Sequence, residues 1–157
     1  GQQLPPLAVL YFGDDAADLA AELAQCYPKS ALVRDDAGLA ALAQAVQAAL
    51  QTPALAAQVP LVLGGTAFQQ KVWQALCQIP PGQTRSYSEL TALLGDPKAV
   101  RAVGRANGAN EISLLVPCHR VIGKNGSLTG YRWGLERKHA LLATEGFTAQ
   151  SQQKELI

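Results

Sequence analysis

Residues 112–122 read Ile-Ser-Leu-Leu-Val-Pro-Cys-His-Arg-Val-Ile, an apolar stretch that places Cys118 next to His119. A thiol is a strong nucleophile only as the thiolate, and a nearby imidazole is a common base for forming it. Successive side chains of an extended strand point to opposite faces, so the pair can cooperate only where the backbone turns, and Pro117 favours such a turn. A buried cysteine beside a histidine is also an ordinary packing pair, so the dipeptide alone does not decide the chemistry.

Composition narrows the class of protein. The chain has 157 residues, 48% of them hydrophobic, which is enough for one large domain or two small ones. The sequence holds no apolar run of membrane-spanning length and opens on no signal-peptide pattern, so we expect a cytoplasmic protein without a membrane partner. Three widely spaced cysteines argue against a disulfide framework, and two histidines form no metal-ligand pattern. We therefore expect neither a metal nor a cofactor.

Charge is distributed unevenly along the chain. The net charge is +1, but residues 98–138 carry eight basic and two acidic residues, which gives +6. Residues 1–60 carry two basic and six acidic residues, which gives −4. This asymmetry is typical of a scaffold region joined to a region that meets phosphate. Two ordinary solvated surfaces would produce the same count, and that alternative stays open.

The N-terminal part predicts a small sheet with helices. The apolar run Leu7–Phe12 predicts a strand, and helical spacing of apolar residues predicts helices over residues 14–26 and 35–50. A proline-containing connector and a short strand over residues 60–65 follow, with a break at the glycine pair. We place the domain boundary there, with one domain over 1–64 and a second domain over 65–157 that has a flexible tail from about residue 147.

The second domain opens with a helix signal. Thr66 followed three residues later by Gln69 is a capping-box pattern, and it predicts a helix over residues 67–78. A short helix over 86–94 is followed by Asp96, which we predict to be the N-cap of another helix. Two short helices joined by a tight turn indicate a helix-turn-helix.

The helix after Asp96 has an informative surface. Lys98, Arg101 and Arg105 lie at helical spacing on one face, whereas Val100 and Val103 are predicted to point to the core. Small residues, Ala99, Ala102 and Gly104 among them, make the helix slim enough to approach a groove closely. An ordinary solvated basic face would look similar.

The active-site stretch 112–122 and residues 129–134, Thr-Gly-Tyr-Arg-Trp-Gly, together resemble the signature of the O6-alkylguanine-DNA alkyltransferases, most closely their Ada-type branch. The resemblance runs from about Ala8 to Gly146 and is densest from Gly65 onward. Residues that the family uses stand at the expected distances from the cysteine: Asn110, Arg101, Tyr87, Tyr131, Lys138 and Glu145. Several matches at fixed offsets are more specific than one short motif.

The resemblance implies an α/β (α+β) fold. Its N-terminal domain, residues 1–64, would be a small ribonuclease-H-like sheet with helices that supports the second domain, and compared with related chains it looks shortened at its start. The second domain would be mostly helical, winged-helix-like and DNA-binding. It also implies suicide repair of DNA without a cofactor. Glu145 would orient His119, which through a water takes the proton of Cys118, and the thiolate would then remove a methyl or larger alkyl group from O6 of guanine, or from O4 of thymine. The protein would be used once, as a bacterial, cytoplasmic, nucleoid-associated monomer.

The family also implies how DNA is bound. The basic helix would enter the minor groove of double-stranded DNA, Arg101 would replace the flipped nucleotide, and Tyr87 would help to rotate that nucleotide and donate a proton to the base. Further DNA contacts would come from the same two helices: Ser86, Lys98, Ala99, Ala102, Gly104 and Arg105. The pocket would be formed by Tyr87, Val121, Tyr131, Arg132, Trp133 and Lys138. The Arg132 amide would bind O6, Trp133 would narrow the pocket mouth, and Asn110 would be a hinge between the basic helix and the strand bearing Cys118.

Three other classes of protein stay open at the level of sequence. A lesion-flagging relative would flip the same base without transfer, but such proteins have a different residue, typically Trp, in place of Cys118. A transcription factor could use the same helix pair, and sequence-specific binding to undamaged DNA would favour it. A cysteine hydrolase would show repeated turnover.

Overall fold

The computed structural model describes residues 4–123, 126, 128 and 130–147, so Lys124, Thr129 and the tail after residue 147 lie outside it. Within these ranges the α-helices are α1 (Ala16–Cys26), α2 (Ala40–Gln51), α3 (Ala67–Leu76), α4 (Tyr87–Leu93), α5 (Val100–Gly108) and α6 (Leu135–Thr144). Two short strands, β1 (Arg85–Ser86) and β2 (Val121–Ile122), pair in parallel. Two 3-10 helices cover Pro53–Gln58 and Cys118–Arg120. None of the described helices is both long and apolar enough to span a membrane.

The predicted N-terminal strands are wrong as continuous strands. Leu7 exchanges backbone hydrogen bonds of 2.9 Å with residues 60 and 62, and Leu10 exchanges bonds of 2.8 and 3.1 Å with residues 111 and 113. The segment therefore lies between two neighbours but pairs with each at a single residue, and only isolated bridges form. Pro60 has no amide hydrogen to extend the first ladder. A ribonuclease-H-like sheet stays a prediction.

The N-terminal helices are lightly buried. Asp15 is the N-cap of α1 and accepts a hydrogen bond of 2.7 Å from the Ala17 amide, close to the predicted start. Helix α2 begins at Ala40, five residues later than predicted, because the Asp35 carboxylate accepts from the Gly38 amide at 2.9 Å and stabilises a turn instead. No residue of α1 is fully buried.

The core lies mainly in the second half of the chain. The predicted capping box of Thr66 and Gln69 is confirmed at the start of α3, which ends two residues before the predicted end at Gln78. Helix α3 packs on α5, and the Trp73 indole donates 2.8 Å to the Ala106 carbonyl. Fully buried apolar side chains from several elements complete this core: Val72, Leu76, Leu90, Val103, Val116 and Val121.

Helices α4 and α5 are consecutive and packed together. Helix α5 begins at Val100 and not near Asp96, because the Asp96 carboxylate accepts from the Lys98 amide at 3.1 Å and holds a turn ahead of the helix. Val103 is buried as predicted, but Val100 is 37% exposed. Val100 occupies the first turn of α5, one turn before the packed stripe of Val103, Ala106 and Asn107.

The backbone turns at the cysteine, as predicted from Pro117. Cys118–Arg120 is a 3-10 helix and not part of a strand, and β2 starts directly after it. Just ahead, Leu114 is buried with φ of 71°, a left-handed conformation that is uncommon for a residue with a Cβ. Strain of about 1 kcal/mol at such a position persists only where the surrounding packing over-determines the backbone.

Candidate active site

Cys118 lines a cavity of about 180 Å³ at the junction of α4, α5 and the loop before α6. The other walls come from the same three elements and the turn after α5: Tyr87, Gly104, Asn107, Gly108, Asn110, Gly130, Tyr131, Arg132 and Trp133. The cysteine is partly buried, and it is the one described cysteine of intermediate exposure, since Cys26 and Cys77 are exposed. The structure thus brings together most of the predicted pocket residues around one thiol.

Asn110 connects the end of α5 to the cysteine turn. Its side-chain amide donates 2.8 Å to the Val116 carbonyl and 3.2 Å to the Cys118 sulfur, and its Oδ1 accepts 2.9 Å from the Ile112 amide. A plain turn asparagine would leave much of this hydrogen-bonding capacity to water, whereas Asn110 is 3% exposed. The side chain of Asn110 therefore links the end of α5 to the turn that contains Cys118.

His119 and Glu145 lie 26 positions apart in the sequence and are brought together by the fold. The His119 Nε2 lies 3.1 Å from Glu145 Oε2, and the two side chains are 0% and 2% exposed. Glu145 is the C-cap of α6, where the helix dipole disfavours an acid, so its buried partners must hold the charge there.

Arg120 is the partner that sequence reasoning missed. Its guanidinium donates 2.8 Å and 2.6 Å to the two oxygens of Glu145, and its third contact is 2.7 Å to the Ile79 carbonyl. A bidentate arginine–carboxylate pair is the strongest common side-chain ion pair. The position of Arg120 directly after the Cys-His pair is the one sequence feature that could have drawn attention to it. No local pattern indicates that it pairs with a residue 25 positions later.

The pKa values in this cluster define its resting state. Burial favours a higher pKa for Glu145, but hydrogen bonds from Arg120 and His119 outweigh it and lower the pKa to about 2. Burial lowers the pKa of His119 more than Glu145 raises it. Burial also raises the pKa of the Cys118 thiol, against the hydrogen bond from Asn110. At neutral pH the cluster therefore holds a thiol, a neutral imidazole and a carboxylate.

The ionised Glu145 fixes the tautomer of His119. A carboxylate can only accept, so the Nε2 of His119 carries the hydrogen of that contact. The Nδ1 lone pair is then the basic site of the ring. That Nδ1 is buried and has no hydrogen-bond partner among the described residues.

Lys138 is fully buried at the back of the site. Its ammonium donates 2.7 Å to the Val121 carbonyl and 3.1 Å to the Gly130 carbonyl, so it joins β2 to the loop before α6. Burial lowers its pKa to about 8. Val121 itself is buried and contributes its backbone to this contact.

The pocket segment Tyr131–Trp133 is held by its side chains. Trp133 is 8% exposed, and its indole donates to the Ser113 hydroxyl. The Arg132 side chain turns toward the N-terminal region, where it pairs with Glu22 at 3.2 Å and with Glu111 at 3.0 Å. Sequence reasoning assigned a role to the Arg132 amide and missed these ion pairs.

The predicted DNA-facing side chains form an exposed surface on α5 and the turn before it. Lys98, Arg101 and Arg105 are exposed, while Ala99, Ala102 and Gly104 are half-buried. A Cβ added at Gly104 would have no atom within 4 Å, so the fold itself does not require glycine there. Ser86 is 7% exposed and caps α4 by accepting 3.0 Å from the Glu89 amide, which is a structural use of its hydroxyl.

The positive charge counted from the sequence is largely internal. Arg120 and Arg132 are paired as described above, Arg137 pairs with Asp14, and Lys138 is buried. The exposed basic surface is therefore smaller than a charge of +6 suggests. Within the described ranges, no group of three His, Cys, Asp or Glu residues could hold a metal ion.

Comparison with known proteins agrees with this site. The family model 6-O-methylguanine DNA methyltransferase, DNA binding domain, matches residues 67–147. Over 133 residues the chain is 47% identical to the regulatory protein ada of Salmonella typhimurium. This match covers 85% of this chain and 38% of that protein. Over 119 residues it is 52% identical to an inducible methylated-DNA–protein-cysteine methyltransferase of Bacillus subtilis. That match covers 76% of this chain and 66% of the relative.

A solved structure gives the same result. The crystal structure of Mycobacterium tuberculosis OGT in complex with DNA aligns with a TM-score of 0.55 and 59% identity, over 56% of this chain and 54% of that chain. The chain spans less than two thirds of the length of each of these relatives. The family model covers more than half of the chain, and the residues that it matches include α5, the turn at Cys118 and Glu145 with its partners. The chain belongs to the 6-O-methylguanine DNA methyltransferase family.

Proposed function

We propose that this protein reverses alkylation damage in DNA directly, by moving a methyl or larger alkyl group from O6 of guanine, or O4 of thymine, to its own Cys118. The observation that carries the proposal is a thiol that lines a cavity, with a buried imidazole–carboxylate pair that begins at the next residue and a basic helix, α5, that forms part of the cavity wall. Relatives named methylated-DNA–protein-cysteine methyltransferase support the same reaction.

The first step is loss of the thiol proton. Because burial raises the pKa of Cys118, the thiolate must be made when substrate is in place. His119 is neutral, and its Nδ1 lone pair is the available base. In this proposal a water carries the proton from Cys118 to His119, and the ionised Glu145 stabilises the imidazolium that results. Arg120 positions Glu145 by holding both of its oxygens.

The second step is displacement at the alkyl carbon. The Cys118 sulfur forms a bond to that carbon while the bond from carbon to O6 breaks, and the electron pair passes to the guanine. Tyr87, on the cavity wall, gives the departing base a proton at N3, and the Arg132 amide donates to O6. Once the base has left, that proton returns to Tyr87, and the proton that His119 took from the thiol passes through water to N1 of guanine. The products are S-alkylcysteine and normal guanine. A thioether is a very poor leaving group, so each molecule reacts once.

The cavity requires the nucleotide to leave the duplex. Cys118 lies inside the protein, and a base stacked in a helix cannot bring O6 to it, so the target nucleotide must be flipped out. Helix α5 is the element beside the cavity that meets the groove, because it combines exposed cationic side chains with small residues. We assign Arg101 to the place of the flipped nucleotide. The contact surface comprises Lys98, Ala99, Ala102, Gly104 and Arg105 on the minor-groove side, with Ser86 at the start of α4.

The finer fold assignment belongs to the same proposal. We take residues 1–64 as a ribonuclease-H-like support domain, and residues 65–157 as a winged-helix-like DNA-binding domain with α4 and α5 as its helix-turn-helix. The capping box that starts α3 at Thr66 supports a boundary near residue 64. The protein would act as a monomer in the bacterial cytoplasm, at the nucleoid, and the bacterial relatives are consistent with that setting.

Mass spectrometry tests the reaction. Equimolar protein and duplex DNA with one O6-methylguanine should give a methyl gain on the peptide that contains Cys118. A Cys118→Ala variant is the matched control, and it should bind the lesion without gaining mass. Tight lesion binding by the wild-type protein with no mass gain would replace the proposal with a damage sensor, and absence of binding would contradict the DNA role.

A further inference from the structure

The wall of the cavity opposite α5 is a short segment between two glycines. Gly130 and Gly134 have φ of 58° and 101°, a region that favours glycine. A Cβ at either position would have no atom within 4 Å, so there is open space on that side of both glycines. The backbone of the segment is held at Gly130, whose carbonyl accepts 3.1 Å from Lys138, and by a turn bond of 3.1 Å from the Gly134 amide to the Tyr131 carbonyl. Further contacts of the segment are made by its side chains.

Those contacts form what we call the Arg132 cluster: Tyr11, Glu22, Glu111, Arg132 and Trp133. The Arg132 guanidinium lies 4.6 Å from the ring centre of Tyr11 and 4.6 Å from that of Trp133. The two rings are themselves 4.9 Å apart, so the three groups pack as a triangle. A cation over aromatic faces contributes about 0.5–2 kcal/mol, depending on how far it is desolvated.

Carboxylates tie this triangle to the rest of the molecule. Glu111 accepts from Arg132 at 3.0 Å through one oxygen and from the Tyr11 hydroxyl through the other. Glu22, on α1, accepts from the second terminal nitrogen of Arg132 at 3.2 Å. An isolated exposed ion pair contributes little, but the Arg132 side chain is only 23% exposed and has five partners, because it also donates 3.8 Å to the Cys26 sulfur.

The cluster spans the two parts of the chain. Tyr11 and Glu22 belong to the N-terminal region, whereas Arg132 and Trp133 line the cavity that contains Cys118. The Trp133 indole donates to the hydroxyl of Ser113, and its ring packs against Tyr11 and Arg132. The Trp133 carbonyl accepts 2.9 Å from Arg137. Loss of Arg132 would remove the cation that packs on both rings and joins them to Glu22 and Glu111.

We propose that Arg132 is a specificity-determining positioning residue: with Tyr11 and Glu22 it holds Trp133 against the cavity, so that the N-terminal region sets the size of alkyl group that reaches Cys118. This inference rests on the proposed alkyl transfer. It gives the N-terminal region a role in the reaction besides support.

A matched pair of variants tests the inference. Glu22→Ala removes the acid that pairs with Arg132, and Asp36→Ala removes the acid that pairs with Arg34, which is not part of the cavity wall. Both changes remove one negative charge from the same region. Arg132→Met is added as the stronger perturbation. For each protein, the rate of Cys118 alkylation is measured by peptide mass with duplexes that contain O6-methylguanine or O6-benzylguanine.

The readout is the ratio of benzyl to methyl rates. We expect the ratio to rise about tenfold in Arg132→Met and less in Glu22→Ala, and to stay at the wild-type value in Asp36→Ala. A merely structural role would slow both substrates together and leave the ratio unchanged. A ratio within about twofold of wild type in both Arg132→Met and Glu22→Ala would overturn the inference. If Arg132→Met does not fold, Glu22→Ala alone decides.

A second readout does not depend on alkyl transfer. Methyl and benzyl methanethiosulfonate form mixed disulfides with thiols, and peptide mass distinguishes Cys118 from the exposed Cys26 and Cys77. The benzyl-to-methyl ratio at Cys118 should rise in the same variants. Absence of methyl transfer by the wild-type protein would contradict the proposed function, whereas an unchanged reagent ratio in Glu22→Ala and Arg132→Met would contradict the role of Arg132.

Discussion

Two groups of basic residues in the same half of the chain are used in opposite ways. On α5 and the turn before it, Lys98, Arg101 and Arg105 are exposed. Arg120, next to His119, and Arg132, on the cavity wall, are paired with carboxylates, and the Arg120 side chain is 8% exposed. The first group is available to a polyanion, and the second is used in ion pairs within the protein. A count of charges does not distinguish the two groups, but their ion pairs do.

The largest expected effect comes from breaking the buried group. Arg120→Met leaves Glu145 with His119 as its remaining partner, and loss of one member of a buried ion pair costs about 3–5 kcal/mol. The free energy of unfolding, measured by urea denaturation, should fall by that amount. Arg105→Met is the matched control from the exposed group, and it should stay within about 0.5 kcal/mol of wild type. Equal free energies of unfolding for the two variants would contradict the claim that the paired and the exposed arginines contribute differently to stability.

Acid should lower the stability of the folded protein through the buried cluster of His119, Arg120 and Glu145, and the exposed basic residues should not contribute to this effect. The pKa of His119 is lowered by burial from 6.5, so the folded state binds fewer protons than the unfolded state and stability falls as pH drops below 6.5. The pKa of Glu145 is lowered from 4.5 to about 2, so stability falls further as pH drops through that window. Urea midpoints across this range measure both effects.

Two variants sharpen the pH prediction. Glu145→Gln should lose the dependence between pH 4.5 and about 2, whereas Arg105→Met should keep the wild-type profile. Stability that is independent of pH from neutral to pH 4.5 would mean that His119 is not held neutral in the folded protein.

The exposed group should control binding to DNA. Arg101→Ala is expected to weaken binding to a duplex by about tenfold while stability changes by less than about 0.5 kcal/mol. Fluorescence anisotropy at several salt concentrations measures the affinity and its salt dependence. Lys29→Ala, a change of the same charge in the N-terminal region, serves as the control. Similar losses for both variants would mean that α5 is not the binding surface.

The smallest effect tests the slimness of α5. Gly104→Ala has space for its methyl group and improves helix propensity, so the free energy of unfolding should rise by up to about 1 kcal/mol. The same methyl group lies on the surface that we assign to the minor groove, so affinity for DNA should fall a few-fold. Gly64→Ala, also in open space but outside α5, should leave affinity unchanged. An unchanged affinity in Gly104→Ala would contradict close approach of this helix.

Features set by neighbouring residues could be predicted from the sequence. The Thr66–Gln69 capping box depends on residues three apart, and the turn at Cys118 follows Pro117. The proximity of His119 and Glu145 came from the family resemblance and not from any local pattern. The start of α2 was missed because an aspartate such as Asp35 can cap a helix or hold a turn, and only the folded backbone decides between them.

Long-range pairing could not be predicted. The Arg132–Glu22 ion pair joins residues 110 positions apart, and no periodicity connects them. The predicted strand at Leu7–Phe12 has the right composition, but strand formation depends on partners that continue alongside it, and each neighbour here meets it at one residue. Burial of Arg120 and Lys138 reverses the usual expectation for charged side chains, and it follows from partners that only the fold supplies.

The central claim is that Cys118 accepts one alkyl group and is consumed. The most direct test mixes the protein with an excess, about tenfold, of duplex that contains O6-methylguanine. Repaired DNA and methylation of Cys118 are both quantified. The account predicts that repaired DNA stops at one equivalent per protein and that all of the methyl is found on Cys118. Repair beyond one equivalent, or methyl groups on Cys26 or Cys77, would contradict it.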